Sequence, residues 1–476
     1  MECKGAEILK KQNKNSTVVF AVTLTVLLIG TVVLFSKVKP HTGCRHAYTA
    51  FEQTVLPSDF SVGEKKKTCK KCGDTITERV RARVNLPQLY LDGDTISISK
   101  TSDAIMKAEY FDKGTAFNVF ASVKNQGHTS MGYAKKNYTI KFYRDEARND
   151  KYKVSLNGWQ KTFKYCLKAN FIDYSSARNI VSSEIWRDVT ASREQLDSNI
   201  AELEFSGAID GYPIALFING EYTGLYTLNI PKDEDTYHIA DEENEAMFVI
   251  NSGFSDAAQF RALLCEEDKK AVFDLEYSYP EDAQWPYESL NKLLGFVINN
   301  DGEDFQNGAE QYLDIDAAID YLITAYVLGV TDNFSKNMIL LTYDGNKWIP
   351  DMYDLDTACG LMFDGSGYLE YDFSLPKLLA DGTVSSQTDN LLWDRILNNY
   401  TQRFKRRYFE LRAGILNTEK LINRYTGFIS LIPEECYIQE TVLYRDTPQK
   451  NISQAEQISG FLKCRCEQLD SIIEQF

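Results

Sequence analysis

The chain has 476 residues, of which 43% are hydrophobic, 12% aromatic and 25% charged, as in folded globular proteins and unlike disordered ones. A formal net charge of −16 repels phosphate backbones, so nucleic acid is not an expected partner; the acidic surface either keeps the protein soluble or favours divalent cations or a basic protein substrate. Only four histidines are present, which excludes a mechanism built on several imidazoles and leaves acid–base chemistry to carboxylates.

An uncharged apolar run, VVFAVTLTVLLIGTVVLF, extends from Val18 to Phe35. At about 1.5 Å per helical residue, a run of this length nearly spans the hydrocarbon core of a bilayer. We therefore predict a cytoplasmic tail at residues 1–16 and a transmembrane helix at residues 17–36, with the large C-terminal domain extracytoplasmic in a single-pass cell-membrane protein. A cleaved signal peptide is the alternative, but such peptides end in small residues, whereas this run ends in FSKVKPHTG.

A segment at residues 40–80 contains Cys44-x-His46 and, in KTCKKCGDT, Cys69-x-x-Cys72. Two thiolates and a glycine that lets the turn close around a cation are typical of a metal knuckle, and four soft ligands are the number that a structural zinc site needs. The segment is thus predicted to resemble a zinc ribbon. A disulfide in an oxidising compartment is the alternative. A catalytic role is not expected, because all four ligand positions are used.

From residue 85 to residue 476 the pattern predicts one further domain, which begins with β-strands. Alternating apolar positions broken by Asp-Gly and Lys-Gly turns occur in LPQLYLDGDTISIS, AEYFDKGTAFNVFASVKN and NYTIKFYRD. The stretch DYSSARNIVSSEIWRDV predicts a helix with Asp173 or Ser175 as its cap. A hairpin is predicted in YPIALFINGEYTGLYTLNIP, because Asn219-Gly220 accepts positive φ in a tight turn.

Helices are predicted for most of the remaining chain. LDIDAAIDYLITAYVLGVTDN and NLLWDRILNNYTQRFKRRYFELRAGILN have helical periodicity, while NMILLTYDGNKWIPDMYDLD predicts an embedded hairpin that turns at Asp344-Gly345. The predicted fold class is therefore α+β, with a β-rich N-terminal lobe, a mostly helical C-terminal lobe and a cleft between them.

Four polar residues flank the embedded hairpin: Asp332, Asn337, Asp354 and Asp356. Because a hairpin returns the chain to its starting point, these side chains are predicted to face one space. Hard oxygen ligands suit Mg²⁺ or Mn²⁺, and phosphoryl transfer needs one Asp to orient the acceptor hydroxyl and an Asn and a second Asp to hold metal on the phosphates. By spacing alone, ordinary turn residues and caps explain the same pattern better.

The motifs around these residues resemble the CotH kinase family, atypical kinases first associated with spore coats. The matching stretches are KKNYTIKFY, LKANFIDYSSARNIVSSEIW, ALFINGEYTGLYTLNIPKD, TDNFSKNMILL and WIPDMYDLDTACG, which occur in the family's order over roughly residues 85–430. The resemblance implies an atypical protein-kinase-like fold, ATP and Mg²⁺ or Mn²⁺ as cofactors, and transfer of the γ-phosphate to Ser or Thr of surface or secreted proteins.

Carried onto this sequence, the resemblance implies that Asp332 is the catalytic aspartate and Asn337 the metal-binding asparagine. It implies that one of Asp354 and Asp356 is the second metal ligand, and both stay candidates.

Three further residues are implied to bind ATP. Lys141 in YTIKFY is the candidate for the lysine that steadies the α- and β-phosphates, and Glu184 in the following helix for its ion-pair partner. An outward strand lysine and a solvated helix face are the alternatives. Arg178 in SSARN resembles a family arginine that either holds phosphate or locks the helix.

The chain departs from the family pattern at residues 124–127, where many members have Arg-Gly-Asn-Ser and this chain has Lys-Asn-Gln-Gly. It also has Asn229 where many members have Glu, and Tyr353-Asp354 where many have Trp-Asp, and it lacks a G-x-G-x-x-G loop. These departures leave a second hypothesis open, a catalytically inactive surface or coat-assembly scaffold with a structural cation site. Transfer of a nucleotidyl or glycosyl unit by the same site is a third.

Overall fold

The structure, a computed structural model, describes residues 43–127, 129–239, 244–269, 271–281, 283–448 and 454–476. The chain divides into two compact units. The first consists of residues up to 58 and residues 62–82, and the second of residues 59–61 and 83–476. The predicted tail at 1–16 and the predicted transmembrane helix at 17–36 lie outside the described residues. Within the part of the chain that the structure describes, no helix is long and apolar enough to cross a membrane.

The first unit is a small antiparallel sheet with strands in sequence order, β1 (Glu52–Val55), β2 (Gly63–Thr68) and β3 (Thr75–Val80). A tight turn joins the last two strands, in which the Cys69 amide donates to the Asp74 carbonyl at 2.7 Å. Most side chains of these strands are exposed or half-buried. An apolar core therefore does not account for the stability of this sheet.

The second unit begins with a closed seven-stranded barrel. Its strands are β4 (Gln88–Asp92), β5 (Ala104–Phe111), β6 (Ala116–Gln126), β7 (Asn137–Tyr143), β8 (Lys164–Lys168), β9 (Gly211–Ile218) and β10 (Glu221–Asn229), in the spatial order β10-β8-β7-β6-β5-β4-β9. A parallel pairing of β4 with β9, with Leu89 opposite Leu216, closes the barrel. Alternate apolar residues such as Ala121, Ile140 and Leu167 are fully buried, so the predicted β-rich region is confirmed.

The predicted Asn219-Gly220 hairpin is present between β9 and β10. Both turn residues have positive φ, 52° and 85°, as a two-residue hairpin turn with the right-handed twist of its strands requires. The Asn219 carboxamide also accepts a hydrogen bond from the Gly93 amide at 2.9 Å and so ties the turn to the end of β4.

Helix α1 (Arg178–Ala191) covers the predicted helical stretch but begins later than predicted. The N-cap is Ala177, so the prediction of Asp173 or Ser175 as the capping residue is wrong. Both residues still satisfy amides near the helix start: the Asp173 carboxylate accepts from the Arg178 amide at 2.9 Å, and the Ser175 hydroxyl accepts from the Ala177 amide at 3.2 Å. These hydrogen bonds hold the preceding loop against the helix, but neither residue is the N-cap.

After α2 (Ser198–Glu202), the chain builds a second sheet and the helices behind it. The strands are β11 (Ala246–Ile250), β12 (Phe273–Ser278), β13 (Met338–Thr342) and β14 (Ile349–Met352), and the helices are α3 (Trp285–Asn299), α4 (Gly302–Gly308) and α5 (Ile315–Leu328). All neighbours in the order β12-β11-β13-β14 are antiparallel. The predicted embedded hairpin is thus half of a four-stranded sheet, because β11 pairs with β13 and β12 pairs with β11.

The core beside this sheet contains Met247, Val249, Ile339 and Leu341 from the strands and Ala317 from α5. The α5 helix begins at Asp314, whose carboxylate accepts from the Ala317 amide at 2.9 Å, and ends before Gly329 in the left-handed conformation. The residues that follow α5 lead into β13, and Asn337, just before that strand, donates its backbone N–H to the Ile250 carbonyl at 2.7 Å.

The C-terminal part adds a short hairpin and five helices within the described ranges. These elements are β15 (Lys377–Leu378), β16 (Val384–Ser385), α6 (Leu391–Asn399), α7 (Thr401–Ala413), α8 (Thr418–Ser430), α9 (Glu434–Leu443) and α10 (Gln454–Ile473). Together with the barrel and the second sheet they confirm the α+β class.

A buried carboxyl in β14 gives the fold a pH dependence. Asp351 accepts hydrogen bonds from the Trp186 indole and, at 3.0 Å, from the Tyr237 hydroxyl. Burial raises the pKa of Asp351 from 3.8 to about 7, although these hydrogen bonds act in the opposite direction. The folded state therefore favours the protonated acid. The contribution of Asp351 to the free energy of unfolding is fully present below about pH 4 and is lost as the pH rises through about 7.

We expect Asp351→Asn to raise the free energy of unfolding at pH 8 by roughly 1–4 kcal/mol and to change it little at pH 4, since the amide stays neutral at both values. Urea unfolding at the two pH values measures this, with the exposed Asp446→Asn as control. Equal destabilisation by Asp351→Asn at both pH values would contradict the assignment.

Candidate functional site

The hairpin of β13 and β14 brings two of the predicted site residues together. Met338 pairs with Met352, so Asn337 precedes one strand where Tyr353 and Asp354 follow the other. The Asn337 carboxamide donates a hydrogen bond to the backbone carbonyl of Asp354 at 3.5 Å. Both Asn337 and Asp354 have φ of 56°, a left-handed conformation that Asn and Asp tolerate better than other non-glycine residues.

A buried amide holds the two loops at the end of the hairpin in register. Asn333 donates to the Tyr353 carbonyl at 2.9 Å and to the Asn337 carbonyl at 3.4 Å. The backbone carbonyl of Asn333 accepts a hydrogen bond from the Tyr321 hydroxyl of α5 at 2.7 Å. The spacing of the acidic residues therefore depends on a fully buried polar contact between the helix and both loops.

Asp332 lies in a short 3-10 turn directly after α5, and its carboxylate is paired. The Lys336 ammonium is 2.9 Å from Asp332 Oδ2, and the Lys336 amide donates to the Asp332 carbonyl at 2.7 Å. Burial lowers the pKa of Lys336, but Asp332, Asp354 and Asp356 outweigh this and raise it above its ordinary value. Lys336 is thus a cation amid the acidic side chains, and its position between Asp332 and Asn337 in the sequence could have indicated this.

Asp356 is the most perturbed carboxyl of the group. Burial raises the pKa of Asp356 well above its usual range, and the like charges of Asp354, Asp173 and Asp332 add to the rise, while Lys168 opposes it. Carboxylates crowded in this way are stabilised in their charged form by a cation among them. The four predicted residues Asp332, Asn337, Asp354 and Asp356 therefore share one region.

Lys168, at the end of β8, is a site residue that the sequence did not indicate. Burial lowers its pKa, but Tyr353, Asp354 and Asp356 more than offset this and raise the pKa of Lys168 above its ordinary value. Its ammonium lies 5.9 Å from the centre of the Tyr353 ring. Only the tertiary structure places this barrel strand beside the acidic loop, because the two segments are far apart in sequence.

The loop between β6 and β7 also reaches this region. Burial raises the pKa of Tyr133, Asp356 and Asp364 raise it further, and Lys336 opposes them, which places the phenol within electrostatic reach of the acidic group. The Tyr133 ring is stacked on Phe171 at a centroid distance of 4.8 Å. His128, in this loop, lies outside the described residues.

Lys141 lies on the same barrel but in a different environment. In β7 it pairs with Ser122 and Lys164 and lines a cavity of about 480 Å³ together with Lys124. Burial lowers the pKa of Lys141, and the like charges of Lys164 and Lys124 lower it further.

Lys164 and Lys168 share one face of β8, four residues apart, which is roughly 13 Å along the strand. The structure therefore brings Lys168, and not Lys141, to the acidic residues. The ATP-binding role of Lys141 stays a prediction.

Glu184 does not approach Lys141. Burial raises the pKa of Glu184, and its nearest charges are Asp210, which raises the pKa further, and Arg187 and Arg424, which lower it. The charges that shift the pKa of Lys141 are different ones: Lys164, Lys124, Asp103 and Glu234. The predicted Lys141–Glu184 ion pair is not formed.

Arg178 is fully buried, and its guanidinium is used within the fold. It pairs with Asp173, donates from Nε to the Ala358 carbonyl at 2.9 Å, and donates from Nη2 to Gln457 of α10 at 2.7 Å. The neighbouring Asn179 accepts from the Leu355 amide at 3.0 Å. The first turn of α1 thus fastens the loop that carries Asp354 and Asp356. The ATP-binding role of Arg178 stays a prediction.

Asn229, the departure from the family's Glu, is buried at the end of β10 opposite Cys166. Neither polar atom of its side chain has a hydrogen-bond partner among the described residues. A Cβ on Gly211, the residue opposite it in β9, would lie 2.5 Å from its Oδ1, so the space around the amide is closed. A neutral amide fits this enclosed position at lower cost than a carboxylate would.

A groove of about 420 Å³ extends from Asp332 and Lys336. Its rim carries two aromatic side chains, Phe254 and Phe363, that are 96% and 64% exposed. Polar residues, among them Asp389, line the remainder. Exposed phenylalanines beside a carboxylate are unusual for a surface without a partner.

The donor set fits a divalent metal and a phosphorylated ligand. Carboxylates of Asp354 and Asp356 and the amide oxygen of Asn337 are hard ligands of the type that Mg²⁺ and Mn²⁺ prefer. Lys168 and Lys336 offer positive charge beside them, as phosphate oxygens require.

The four predicted zinc ligands lie in the first unit. One ligand atom from each of Cys44, His46, Cys69 and Cys72 falls within 4.8 Å of all the others.

Comparison with known proteins gives one family. The family model described as CotH, CotH kinase protein, matches residues 123–469, which is more than half of the chain and includes every residue of the acidic group. No curated protein matches the chain.

Proposed function

The chain belongs to the CotH kinase family, and from this membership and the acidic site we propose that it is a metal-dependent phosphotransferase that moves the γ-phosphate of ATP to Ser or Thr of a surface or secreted protein. The family supports a kinase-like activity. The observation that supports metal-dependent phosphate transfer is that Asp332, Asn337, Asp354 and Asp356 lie in one region. Lys168 lies beside Asp354 and Asp356.

Each residue has a role in this proposal. ATP with its metal, when bound, supplies the electrophilic phosphorus. Asp354, Asp356 and Asn337 would hold the metal, and Lys168 would neutralise phosphate charge. Asp332 orients the acceptor hydroxyl and receives its proton as the new oxygen–phosphorus bond forms and the bond to ADP breaks. Lys336, 2.9 Å from Asp332, fixes that carboxylate and adds positive charge beside the transferred group.

A protein acceptor is supported by the groove beside Asp332. A volume of about 420 Å³ with two exposed aromatic rings suits a segment of polypeptide better than a small alcohol. The acceptor hydroxyl would reach Asp332 while an apolar neighbour in the same segment contacts Phe254 or Phe363.

We expect Phe254→Ala and Phe363→Ala each to raise the KM for a peptide acceptor by roughly tenfold, through lost apolar contact, and to leave the KM for ATP unchanged. Initial rates at varied peptide and ATP concentrations measure this. Ile96→Ala is the control, because this side chain is 94% exposed and lies outside the groove. An unchanged peptide KM in both phenylalanine variants would show that the acceptor binds elsewhere.

The proposed location is the cell membrane, with the domain extracytoplasmic. It is supported by the charge-free run from Val18 to Phe35 and the lysines on either side of it. Protease protection in intact cells that express the full chain tests this: residues 43–476 should be cleaved from outside.

The activity is tested by incubating the full chain with labelled ATP, Mg²⁺ or Mn²⁺, and a degenerate peptide library with a central Ser or Thr. Phosphate incorporation that depends on the metal supports the proposal. Mass spectrometry of the product distinguishes phosphate from a nucleotidyl or glycosyl group. ADP-induced thermal stabilisation that is lost in Asp354→Asn or in Asp356→Asn identifies which carboxylate holds the metal.

A coat-assembly scaffold without activity is the second candidate. The neutral, buried Asn229 and the missing G-x-G-x-x-G loop favour it. A folded chain that neither transfers phosphate nor is stabilised by nucleotide with metal would support this candidate over the kinase.

A further inference from the structure

The first unit contains a group of soft ligands that the proposed kinase does not use. The sulfur atoms of Cys44, Cys69 and Cys72 and a ring nitrogen of His46 lie within 4.8 Å of one another, and Cys72 Sγ is 3.4 Å from His46 Nδ1. The cysteines of this group are free thiols. Ligand atoms at the corners of a tetrahedron around Zn²⁺ are separated by about 3.5–4 Å, so this spacing suits a four-coordinate ion.

The backbone holds the two ligand pairs together. The Lys70 amide donates to the Ala47 carbonyl at 2.9 Å, and the Ala47 amide donates to Cys69 Sγ at 3.4 Å, so the segment with Cys44 and His46 is tied to the turn with Cys69 and Cys72. Gly73 closes that turn with φ of 76°, and its backbone N–H donates a hydrogen bond to the Cys69 carbonyl at 2.9 Å. Amide donors to sulfur stabilise thiolates, the form that binds metal.

A carboxylate and a phenol lie beside the imidazole. Asp74 Oδ2 lies 3.9 Å from His46 Nδ1 and accepts from the Tyr48 hydroxyl at 2.6 Å. The His46 and Tyr48 rings are stacked at 5.3 Å, a contact that restrains the imidazole.

The unit has little else to stabilise it. In residues 43–58 and 62–82, the buried positions are Pro57, Gly63, Cys69 and Ala82, and every residue of β1 is exposed. Sheets of about 40 residues usually need a disulfide or a metal, because their apolar core is too small. Cys69, 2% exposed, places a metal-binding atom where a larger domain would have its core.

We propose that Cys44, His46, Cys69 and Cys72 bind one Zn²⁺ in a closed tetrahedral site, and that this ion takes the place of a hydrophobic core for residues 43–82. The site is structural, since three thiolates and one imidazole leave no position for a substrate. Binding displaces the thiol protons and couples folding of the sheet to the metal. This inference does not depend on the phosphotransferase activity.

Elemental analysis of the full chain, purified in detergent without added metal, tests the site. We expect about one zinc per chain in the wild type and in Cys265→Ser, an exposed cysteine outside the group, and none in Cys69→Ser with Cys72→Ser. Co²⁺ in place of Zn²⁺ should give the visible absorption of tetrahedral sulfur coordination. A Cys69–Cys72 disulfide in the mass spectrum, or free thiols without metal, would overturn the proposal.

A second measurement on the wild type covers the case in which the double variant misfolds. Lysines at 65–67, 70 and 71 are trypsin sites within the sheet and its turn. A zinc chelator should accelerate cleavage there by at least about tenfold, because the apo sheet opens, while cleavage after residue 83 stays unchanged. Equal cleavage rates with and without chelator would show that the sheet folds without the ion.

Discussion

Replacement of Asp332 by Asn should lower kcat for phosphate transfer by about 10²- to 10⁴-fold, the range expected when a group that orients and deprotonates a nucleophile is removed. The amide has nearly the same shape as the carboxylate and can still accept from Lys336, which is 2.9 Å away in the wild type. The acceptor hydroxyl would keep its place but lose the group that takes its proton. The KM for ATP should change little, because the proposed metal ligands are other residues.

Initial rates with a Ser peptide, ATP and Mg²⁺ measure this effect. Asp389→Asn is the matched control, since Asp389 lines the same groove and is exposed. It should retain wild-type kcat. If Asp332→Asn remains active while Asp354→Asn and Asp356→Asn do not, the residue that acts on the hydroxyl has to be sought among the latter two.

Replacement of Lys168 by Met should lower kcat/KM for ATP by about 10- to 100-fold, the value of a hydrogen bond between charged groups. Methionine keeps the length and apolar part of the side chain but removes the charge that faces Asp354 and Asp356. Phosphate oxygens would then approach the acidic group without that compensation. Nucleotide binding should become weaker at all metal concentrations.

Lys141→Met is the comparison that decides between the two lysines. Its side chain shares a cavity with Lys124, Lys164 and Asp103, and neither Asp354 nor Asp356 lines that cavity, so we expect less than about a threefold change in kcat/KM. Titration with ADP and Mg²⁺, followed by thermal stability, separates binding from turnover in both variants. A larger loss in Lys141→Met than in Lys168→Met would reverse the assignment and restore the role that the family resemblance implies for Lys141.

Much of the local structure could be predicted because it depends on short-range chemistry. Asn219-Gly220 specifies its hairpin through two positive φ values, and a hairpin between Asn337 and Asp354 brings its two ends together in any fold. The α1 boundary was placed too early for a related reason: Asp173 and Ser175 resemble caps, but they bind amides of the preceding loop and of the first helical residues.

Contacts between distant segments could not be predicted in the same way. The buried guanidinium of Arg178 donates hydrogen bonds to Gln454 and Gln457 of α10, some 280 residues away in the sequence. The predicted ion pair of Lys141 with Glu184 does not form, because strand register and helix rotation together decide which side chains meet. Two strands from residues 246–278 also joined the embedded hairpin, a non-local pairing that periodicity does not reveal.

The sequence by itself determined which residue types are available, how the hairpins turn, and that Asp332, Asn337, Asp354 and Asp356 face a common region. These features follow from local backbone chemistry and from spacing along one hairpin. The tertiary structure alone decided which barrel lysine completes the site: it placed Lys168 beside the acidic residues and left Lys141 among other lysines. The reason is physical, since barrel closure and the packing of α1 against the acidic loop set charge-to-charge distances that no local pattern encodes.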